Sequence, residues 1–336
     1  MTNNTIAQQR FANVVIAARA GDAMGTPTEG LSVEEIEARF GWVSTFEGDG
    51  TDDSLMASVL SETIIRTQGW PDADSWAVDI VRHRQDIREK RDSFFVSLLQ
   101  TAQKLGAGYR PAEAAIGNMP SSSSAMCIWP IGLLLAGRPH EAAVEAYELA
   151  RLIHVGEADH CTDAAAAVAA AVSAAFLPGA SIRSSLDVAV ATLRTASGEL
   201  FRSTLLRAVD LADASEDYVS FRDGFNRQFQ RPIMCDALET VPAAFALAIL
   251  ADGDARTAVE YGANFGRDAD TIACMAGAMC GALEEPLPDV WIESLGVDSV
   301  RSAGDTATAL LGAARQRAET QRARLSVGLG IIAAIE

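Results

Sequence analysis

Aromatic residues and cysteine pairs are scarce in this chain of 336 residues. Only 6% of the residues are aromatic, and the five cysteines are odd in number, widely spread and without a CxxC pair. A core poor in aromatics and rich in alanine favours closely packed helices, because alanine has the best helix propensity and lets two backbones approach. Scattered single cysteines indicate buried thiols in a reducing compartment.

Basic charge is also in short supply. The 27 Lys and Arg residues against 45 Asp and Glu give a net charge of −18. A nucleic-acid or anionic-membrane surface needs a basic footprint, so we expect neither partner. Plain solubility accounts for the same charge equally well. Because the net charge is negative, a phosphorylated substrate could bind only where metal ions, helix N-termini or a few arginines supply positive charge locally.

Long apolar runs are missing. The longest apolar stretches, such as 164–177, are dominated by alanine and fall below the roughly 20 residues that a membrane span needs. The first ten residues, MTNNTIAQQR, lack a basic segment followed by an apolar one, so we expect no secretory signal. These absences predict a cytoplasmic protein, and we expect a monomer or a small homo-oligomer.

Sustained alternation of β-branched residues is absent as well, which makes a sizeable sheet improbable. Short Gly and Pro breaks separate helical segments without marking a linker, so the chain is predicted to be a single all-α domain over residues 1–336. Apolar periodicity predicts helices at about 11–21, 54–67, 74–87, 93–105, 127–136, 139–153, 161–176, 184–196, 199–213, 235–250, 255–264, 271–282 and 298–322.

Two short acidic clusters stand near opposite ends of the chain, each where a helix is predicted to begin. They are Thr51-Asp52-Asp53-Ser54 and Asp268-Ala269-Asp270-Thr271. Carboxylates and hydroxyls without His or Cys are the ligands of a hard cation such as Mg²⁺. If the fold joins the two clusters, they form a dimetal centre. The alternative is that Asp270 is only a helix N-cap, a common role for Asp.

A third polar segment follows the first predicted helix. Gly21 to Gly30 is predicted to be a loop, and Glu29 is its carboxylate of interest, whereas Asp22 fits a cap or a tie for the loop equally well. Asp49, in Gly-Asp-Gly, is predicted to be a turn residue.

Taken together, these segments resemble the ADP-ribosylglycohydrolase family, which includes dinitrogenase reductase-activating glycohydrolase and the ADP-ribosylhydrolases. The similarity lies in Glu29 with its GDAMGTPTEG loop, in TDDS at 51–54 and in GRDADTIACMAGAMCGAL at 266–283. The stretch MCIWPIGLLL at 126–135 and Val241-Pro242-Ala243 are similar too. The resemblance is strongest over residues 11–283, and the segments occur in the family's order.

The resemblance implies an all-α orthogonal helical bundle with two Mg²⁺ ions, or Mn²⁺ in their place, at the mouth of a cleft. It implies catalytic roles for Glu29, Asp52 and Asp53. It implies substrate contacts from His154, after the predicted helix at 139–153, and from the segment near the ribose, where we assign Ser123, Ser124 and Met126. The implied metal ligands are Thr51, Asp52, Asp53, Asp268, Asp270 and Thr271.

The chain departs from the family pattern at two places. Arg267 and Ala269 stand where the family commonly has Gly and Thr, and Arg267 is expected either to bind a substrate anion or to neutralise nearby carboxylates. The segment Ser121 to Cys127 lacks the family's arginine and carries four consecutive serines instead. Such a hydroxyl run fits a neutral, polyhydroxylated ligand.

The leading hypothesis is metal-dependent hydrolysis of a ribosyl glycosidic bond, with a ribosylated partner as substrate. The substrate is either ADP-ribose on a side chain or small molecule, or a small N-riboside such as a nucleoside. A non-catalytic protein that binds ADP-ribose, and a metal-dependent helical pyrophosphohydrolase, are the alternatives from other functional classes.

Overall fold

The computed structural model describes residues 3–48, 50–283 and 286–335, so the turn predicted at Asp49 lies outside the described residues. Over these ranges the chain is helical and has no strand, which confirms the all-α prediction. The α-helices are α1 (Asn3–Gly25), α2 (Val33–Phe40), α3 (Asp52–Arg66), α4 (Ala73–Arg82), α5 (Arg84–Glu89), α6 (Val96–Gly106), α7 (Pro111–Ala114), α8 (Trp129–Leu134), α9 (Pro139–Ala150), α10 (His160–Ala174), α11 (Ile182–Thr192), α12 (Glu199–Ala214), α13 (Tyr218–Phe229), α14 (Ala237–Leu250), α15 (Ala255–Ala263), α16 (Ala269–Gly281) and α17 (Asp289–Ile335).

The packing of α1 against α16 brings the two ends of the chain together. A Cβ on Gly277 would lie 2.4 Å from the backbone oxygen of Ala17, and one on Gly281 would lie 2.8 Å from the Cβ of Ala17. The small residues on one face of α16 therefore allow the two helices to approach with nothing between them. The sequence predicts this small-residue stripe to pack tightly, and the structure confirms it.

The first helix is longer than the sequence predicts. It passes through Gly21, the expected stop, and ends at Gly25, and a short 3₁₀ turn follows at Thr26–Thr28. A Cβ on Gly21 would lie 2.2 Å from the backbone oxygen of Ala273. Gly21 is thus a contact glycine within a helix, and the predicted loop over residues 21–30 is wrong for its first half.

Other helix boundaries also differ from the predictions. The segment predicted at 74–87 divides at His83 into α4 and α5, and the C-terminal helix begins at Asp289 and is interrupted at Gly296, where φ is 78°. Three described helices, α2, α7 and α13, are absent from the predictions. Two of them start with capping boxes, Ser32 with Glu35 and Asp217 with Ser220, which are sequence signals that periodicity alone overlooks.

A continuous cluster of buried apolar residues extends from Phe11 in α1 to Ala313 in α17. Every residue of α16 is buried, as is every residue of α10 after His160. Helices that are apolar all round form the centre of a large core. None of the described helices is both long and apolar enough to cross a membrane. The single domain over residues 1–336 stays a prediction.

Candidate metal centre and active-site cavity

The first turn of α3 is held by a carboxylate of α1. Asp22 accepts hydrogen bonds from the backbone nitrogens of Thr51 and Ser54, both at 2.9 Å, and from Thr51 Oγ1 at 2.8 Å. Thr51, the N-cap residue, makes no capping bond with its own side chain. Asp22 therefore caps α3 from outside. This leaves the carboxylates of Asp52 and Asp53 out of the capping of their own helix.

The first turn of α16 follows two residues in the left-handed region, Gly266 at φ 76° and Arg267 at φ 60°. A left-handed non-glycine residue costs about 1–2 kcal/mol. Backbone bonds to the Glu29 loop offset this cost, since Gly30 N donates to Arg267 O at 2.7 Å and Arg267 N to Leu31 O at 3.2 Å. The same turn thus fixes Glu29 beside Asp268.

Neither acidic cluster acts as a set of caps. Asp268 is the N-cap residue of α16, but its side chain makes no capping bond, and Asp270 lies inside the first turn. Asp270 Oδ1 accepts only from the adjacent Thr271 N, at 2.8 Å, among the described backbone donors. The N-cap alternative for Asp270 is therefore wrong.

The two clusters meet across the α1–α16 contact. Thr51 Oγ1 lies 3.3 Å from Asp270 Oδ2, and Thr271 Oγ1 donates to Asp53 Oδ2 at 3.2 Å. Carboxylate oxygens converge in two groups, and in each group the ligand atoms lie within 4.8 Å of one another. The first group is Asp22, Asp53 and Asp270, and the second is Glu29, Asp268 and Asp270. Asp270 belongs to both.

The charges of these carboxylates are uncompensated within the described part of the chain. No ion pair there joins Lys or Arg to any member of either group or to Asp52, and Asp53 Oδ1 is buried without a hydrogen-bond partner. Burial first, and then the neighbouring carboxylates, raise the pKa values of Asp52, Asp53, Asp268 and Asp270 well above their usual range. A group of oxygen ligands that includes a buried acceptor without a hydrogen-bond partner fits hard divalent cations.

A cavity of about 130 Å³ opens beside the second group. Larger grooves exist, including one of about 1010 Å³ beside Trp70 and Arg324, but the carboxylate groups able to hold a cation lie elsewhere among the described residues. The donor set therefore identifies the smaller cavity as the candidate active site. Its lining comprises Glu29, Asp52, Asp92, Ser93, Phe94, Phe95, Ser122, Ser123, Met126, Met234, Cys235, Asp268, Asp270 and Thr271.

Comparison with known proteins shows the family of this chain. The sequence profile of the ADP-ribosylglycohydrolase family matches residues 3–322. The chain belongs to this family. Membership supports a glycohydrolase of the ADP-ribosylglycohydrolase superfamily and implies an ADP-ribosyl-type substrate.

Relatives of this family member come from bacteria and archaea. The Escherichia coli K12 protein YegU, described as uncharacterized, is 26% identical over 298 residues, which span 82% of this chain and 87% of YegU. An uncharacterized protein of Archaeoglobus fulgidus is 27% identical over 299 residues, 86% of this chain and 92% of its own. An ADP-ribosylglycohydrolase-related protein complex shares the fold, with a TM-score of 0.68 and 20% identity over 92% of this chain and 99% of that chain.

The residues assigned to substrate by sequence divide between the cavity and the core. Ser123 and Met126 line the cavity, whereas Ser124 and His154 are buried outside its lining. Arg267 points away and forms a bidentate ion pair with buried Glu239, at 2.7 Å and 2.9 Å. That pair favours the neutralising role for Arg267 over contact with a substrate anion.

Sequence reasoning missed several residues of this candidate site. Ser122 donates to Asp268 Oδ2 at 3.1 Å, and Asp22 belongs to a carboxylate group rather than only tying down a loop. The Gly-Asp-Ala-Met-Gly pattern of α1 could have drawn attention to Asp22. The cavity residues Phe94, Phe95, Met234 and Cys235 carry no local signal, because only the tertiary fold brings their segments to the site.

Proposed function

We propose that the protein hydrolyses a ribosyl glycosidic bond with the help of two divalent cations, Mg²⁺ in the first place and Mn²⁺ as the alternative. The observation that carries the proposal is the pair of buried carboxylate groups that share Asp270 at the edge of the cavity. Four or more buried carboxylates without ion pairs are costly for a protein that only binds a sugar, and bound cations would remove the cost.

The residues present fit such a centre. Asp22, Asp53 and Asp270 would hold one cation, and Glu29, Asp268 and Asp270 the other. Thr51 and Thr271 add hydroxyl oxygens that lie 3.3 Å and 3.2 Å from carboxylate oxygens of Asp270 and Asp53. When bound, two cations supply orientation for ribose hydroxyls and a water of lowered pKa.

Proton transfer during cleavage of the glycosidic bond falls to carboxylates of this chain. Glu29 is half-buried, and burial, followed by the charge of Asp22, raises its pKa above the usual range. A bound cation would keep the Glu29 carboxylate ionised, so in the loaded centre Glu29 would take a proton from water. Asp52 is 5% exposed and lines the cavity, where, kept ionised by the bound cations, it would stabilise an oxocarbenium-like transition state.

The cavity volume limits which part of the substrate enters. At about 130 Å³ it is smaller than the 300–1,000 Å³ pockets that enclose a drug-sized ligand, so it holds one group, the ribose. The remainder, an adenine nucleotide in ADP-ribosyl substrates, would lie outside. The principal candidate is removal of ADP-ribose from a modified side chain or small molecule.

A small N-riboside such as a nucleoside is the second candidate. Among the described lining residues there is no lysine or arginine, whereas four are serine or threonine hydroxyls. Hydroxyl groups suit a neutral polyhydroxylated ligand better than a pyrophosphate. A role as a non-catalytic binder of ADP-ribose stays an alternative for the same cavity.

The test compares ligands and metal together. Purified protein is scanned for thermal stability with ADP-ribose and with nucleosides, each with and without Mg²⁺, and turnover is followed by product analysis. We expect a ribosyl ligand to raise Tm only when Mg²⁺ is present, because bound ligand stabilises the folded state by mass action. Absence of any metal-dependent stabilisation would overturn both substrate versions.

The catalytic role is tested by Asp268→Asn against the wild type. The change keeps the shape but removes one charge from the second carboxylate group, so turnover is expected to fall by at least about 100-fold. Unchanged turnover in this variant would remove the metal centre from the chemistry. Release of a nucleotide by phosphoanhydride cleavage, rather than free ribose or ADP-ribose, would instead identify a pyrophosphohydrolase.

A further inference from the structure

The exposed face of α17 carries a regular heptad pattern. The opposite face of this helix packs into the core through residues such as Ala303 and Leu310. On the outer face, exposed residues follow one another at alternating intervals of three and four positions. They are Asp298, Arg301, Asp305, Thr308, Gly312, Arg315, Glu319, Arg322 and Ser326. Residues at this spacing form one stripe along which a second helix can pack.

The charges of this stripe are sorted by heptad position. Position a holds Asp298, Asp305, Gly312, Glu319 and Ser326, and position d holds Arg301, Thr308, Arg315 and Arg322. Every acidic residue of the stripe is thus at a, and every basic residue is at d. Two parallel copies of the helix would set a against a and d against d, so that like charges meet. Two antiparallel copies set a against d, so that unlike charges meet.

One antiparallel register pairs all of these charges. A two-fold axis at position 310 sets Asp298 opposite Arg322, Arg301 opposite Glu319 and Asp305 opposite Arg315 of the other copy. A shift of one heptad in either direction leaves one kind of unlike pair in place of these three. Beside the axis, Thr308 faces Gly312, and a Cβ on Gly312 would meet nothing within 4 Å. The two backbones can therefore approach closely at the centre of the stripe.

Exposed apolar side chains mark both ends of the stripe. Val297 at 74%, Leu325 at 68% and Val327 at 64% are the most exposed large apolar side chains in the described part of the chain. In the antiparallel register, Val297 of one copy lies within about one helical turn of Leu325 of the other. Contact between them would remove this apolar surface from water at each end.

The two ends of the stripe cannot meet within one chain. The helix is regular after Gly296, so Val297 and Ser326 lie about 40 Å apart at 1.5 Å per residue. Pairing of the acidic and basic positions along the whole stripe therefore requires a second copy of the chain.

Two simpler explanations account for only part of the pattern. The helix dipole favours acidic residues in the first turn and basic residues in the last, but the stripe continues through the middle of the helix. Charges on one helix also pair with each other, as Arg301 does with Asp298 at 3.4 Å. These two side chains nevertheless stay 67% and 97% exposed, so their contact contributes little. Neither explanation accounts for the apolar residues at both ends.

We propose that two copies of this protein associate through antiparallel α17 helices as a closed two-fold dimer. The interface is mainly charged and buries few apolar groups, so we expect a weak dimer with a Kd of about 1–100 µM. Each copy has a net charge of −18, but at physiological salt charges more than about 8 Å apart are largely screened. The proposal is independent of the proposed catalytic function.

The first experiment is sedimentation equilibrium of the full-length protein at physiological salt, over concentrations from about 1 to 500 µM. We expect a reversible change from monomer to dimer within this range. Monomer at every concentration would overturn the proposal, and so would a dimer that Arg301→Glu leaves unweakened.

The second experiment exchanges charges across the interface. Arg301→Glu sets a glutamate against Glu319 of the other copy, and Glu319→Arg sets an arginine against Arg301. Each variant alone should raise Kd at least about tenfold. An equimolar mixture of the two should restore association, because unlike charges again face each other. Recovery on mixing cannot arise from a folding defect, and its absence would overturn the antiparallel register.

Arg110→Glu is the matched control. Arg110 is exposed and pairs with Glu113 three positions away, as Arg301 does with Asp298, but it lies outside α17. The same change of charge there should leave Kd as in the wild type. A Kd raised equally by Arg110→Glu and Arg301→Glu would show an effect of net charge alone and overturn the assigned interface.

A disulfide cross-link tests the orientation directly. The five native cysteines are buried, so mild oxidation of the Thr308→Cys, Gly312→Cys double variant should join only the introduced thiols. We expect a covalent dimer on a non-reducing gel, with position 308 linked to position 312 of the other copy in peptide mass spectrometry. Links between identical positions, or the absence of a covalent dimer, would overturn the proposal.

Discussion

Thr271 donates its hydroxyl to Asp53 Oδ2 at 3.2 Å, although the two residues are 218 positions apart in the chain. The bond joins the first turn of α16 to the first turn of α3. It positions one oxygen of Asp53 and leaves the other, Oδ1, buried without a partner. In the proposed centre a divalent cation would be the partner of that oxygen.

Thr271→Val therefore tests whether the hydroxyl serves the metal centre. Valine keeps the branched shape, so the fold should persist, but a ligand or positioning oxygen is lost. We expect affinity for Mg²⁺ to fall about 10- to 100-fold, as measured by titration calorimetry. Thr320→Val is the control, because its hydroxyl bonds Gln316 O on α17. Equal Mg²⁺ affinity in both variants would contradict the assignment.

Metal stoichiometry distinguishes the two carboxylate groups. Asp270 belongs to both groups, whereas Asp53 and Glu29 belong to one each. The wild type should bind two Mg²⁺ ions, Asp53→Asn and Glu29→Gln one each, and Asp270→Asn none with measurable affinity. Calorimetry with Asp74→Asn, an exposed control, should match the wild type. Two ions retained by Asp270→Asn would refute the shared ligand.

Glycine within α1 should be essential for packing. In Gly21→Ala the added Cβ would lie 2.2 Å from the backbone oxygen of Ala273, so the α1–α16 contact must open. We expect a loss of about 3 kcal/mol in the free energy of unfolding, measured by urea denaturation.

Gly304→Ala is the matched comparison, because the same substitution is expected to raise stability there. Gly304 lies in α17 with nothing within 4 Å of its would-be Cβ, so alanine there should stabilise the helix by about 0.5–1 kcal/mol. If Gly21→Ala and Gly304→Ala change the free energy of unfolding by similar amounts, the claim that Gly21 permits the close α1–α16 contact is contradicted.

A surface histidine should make stability depend on pH. His83 contacts Asp86 at 2.7 Å through Nδ1 and Glu62 at 2.8 Å through Nε2. Burial lowers its pKa, but hydrogen bonds and charges from Asp86 and Glu62 outweigh burial and leave the pKa raised. Its stabilising contribution is therefore complete below the unfolded value of about 6.5 and is lost as pH rises through the folded value.

The measurement compares wild type and His83→Gln by urea denaturation at about pH 5.5 and pH 9. The difference in the free energy of unfolding should be larger at the lower pH. His140→Gln is the control, because His140 is exposed and has no ion pair among the described residues. A larger difference at pH 9 would contradict the predicted sign.

The local sequence was sufficient where the chemistry depends on residue type. The alanine content and apolar periodicity predict helices, and the chain is all-α because those preferences are local. Carboxylate and hydroxyl side chains without His or Cys are the ligand types of a hard cation, which is why the sequence predicts such a site. The resemblance in three separated segments then indicated the family that the profile match established.

The sequence misled where a residue's role depends on its partner. Gly21 was predicted to end a helix, since an isolated glycine near a helix end is typical of a cap. Its actual neighbour is Ala273 of α16, and the short distance between these two residues cannot be inferred from any local sequence pattern. The placement of His154 behind the serine segment, and of Arg267 on Glu239, likewise depends on elements far apart in the chain.

The sequence alone therefore determined the helical class and the family resemblance, and it suggested the carboxylates of the proposed centre, because these follow from side-chain chemistry and short-range spacing. Only the tertiary structure decided that the two acidic clusters meet, that Asp22 caps α3 and that Asp270 is shared. The physical reason is the contact between α1 and α16. Small residues form this contact, and none of them is informative by itself in the sequence. The contact brings the carboxylates of both acidic clusters to the same cavity.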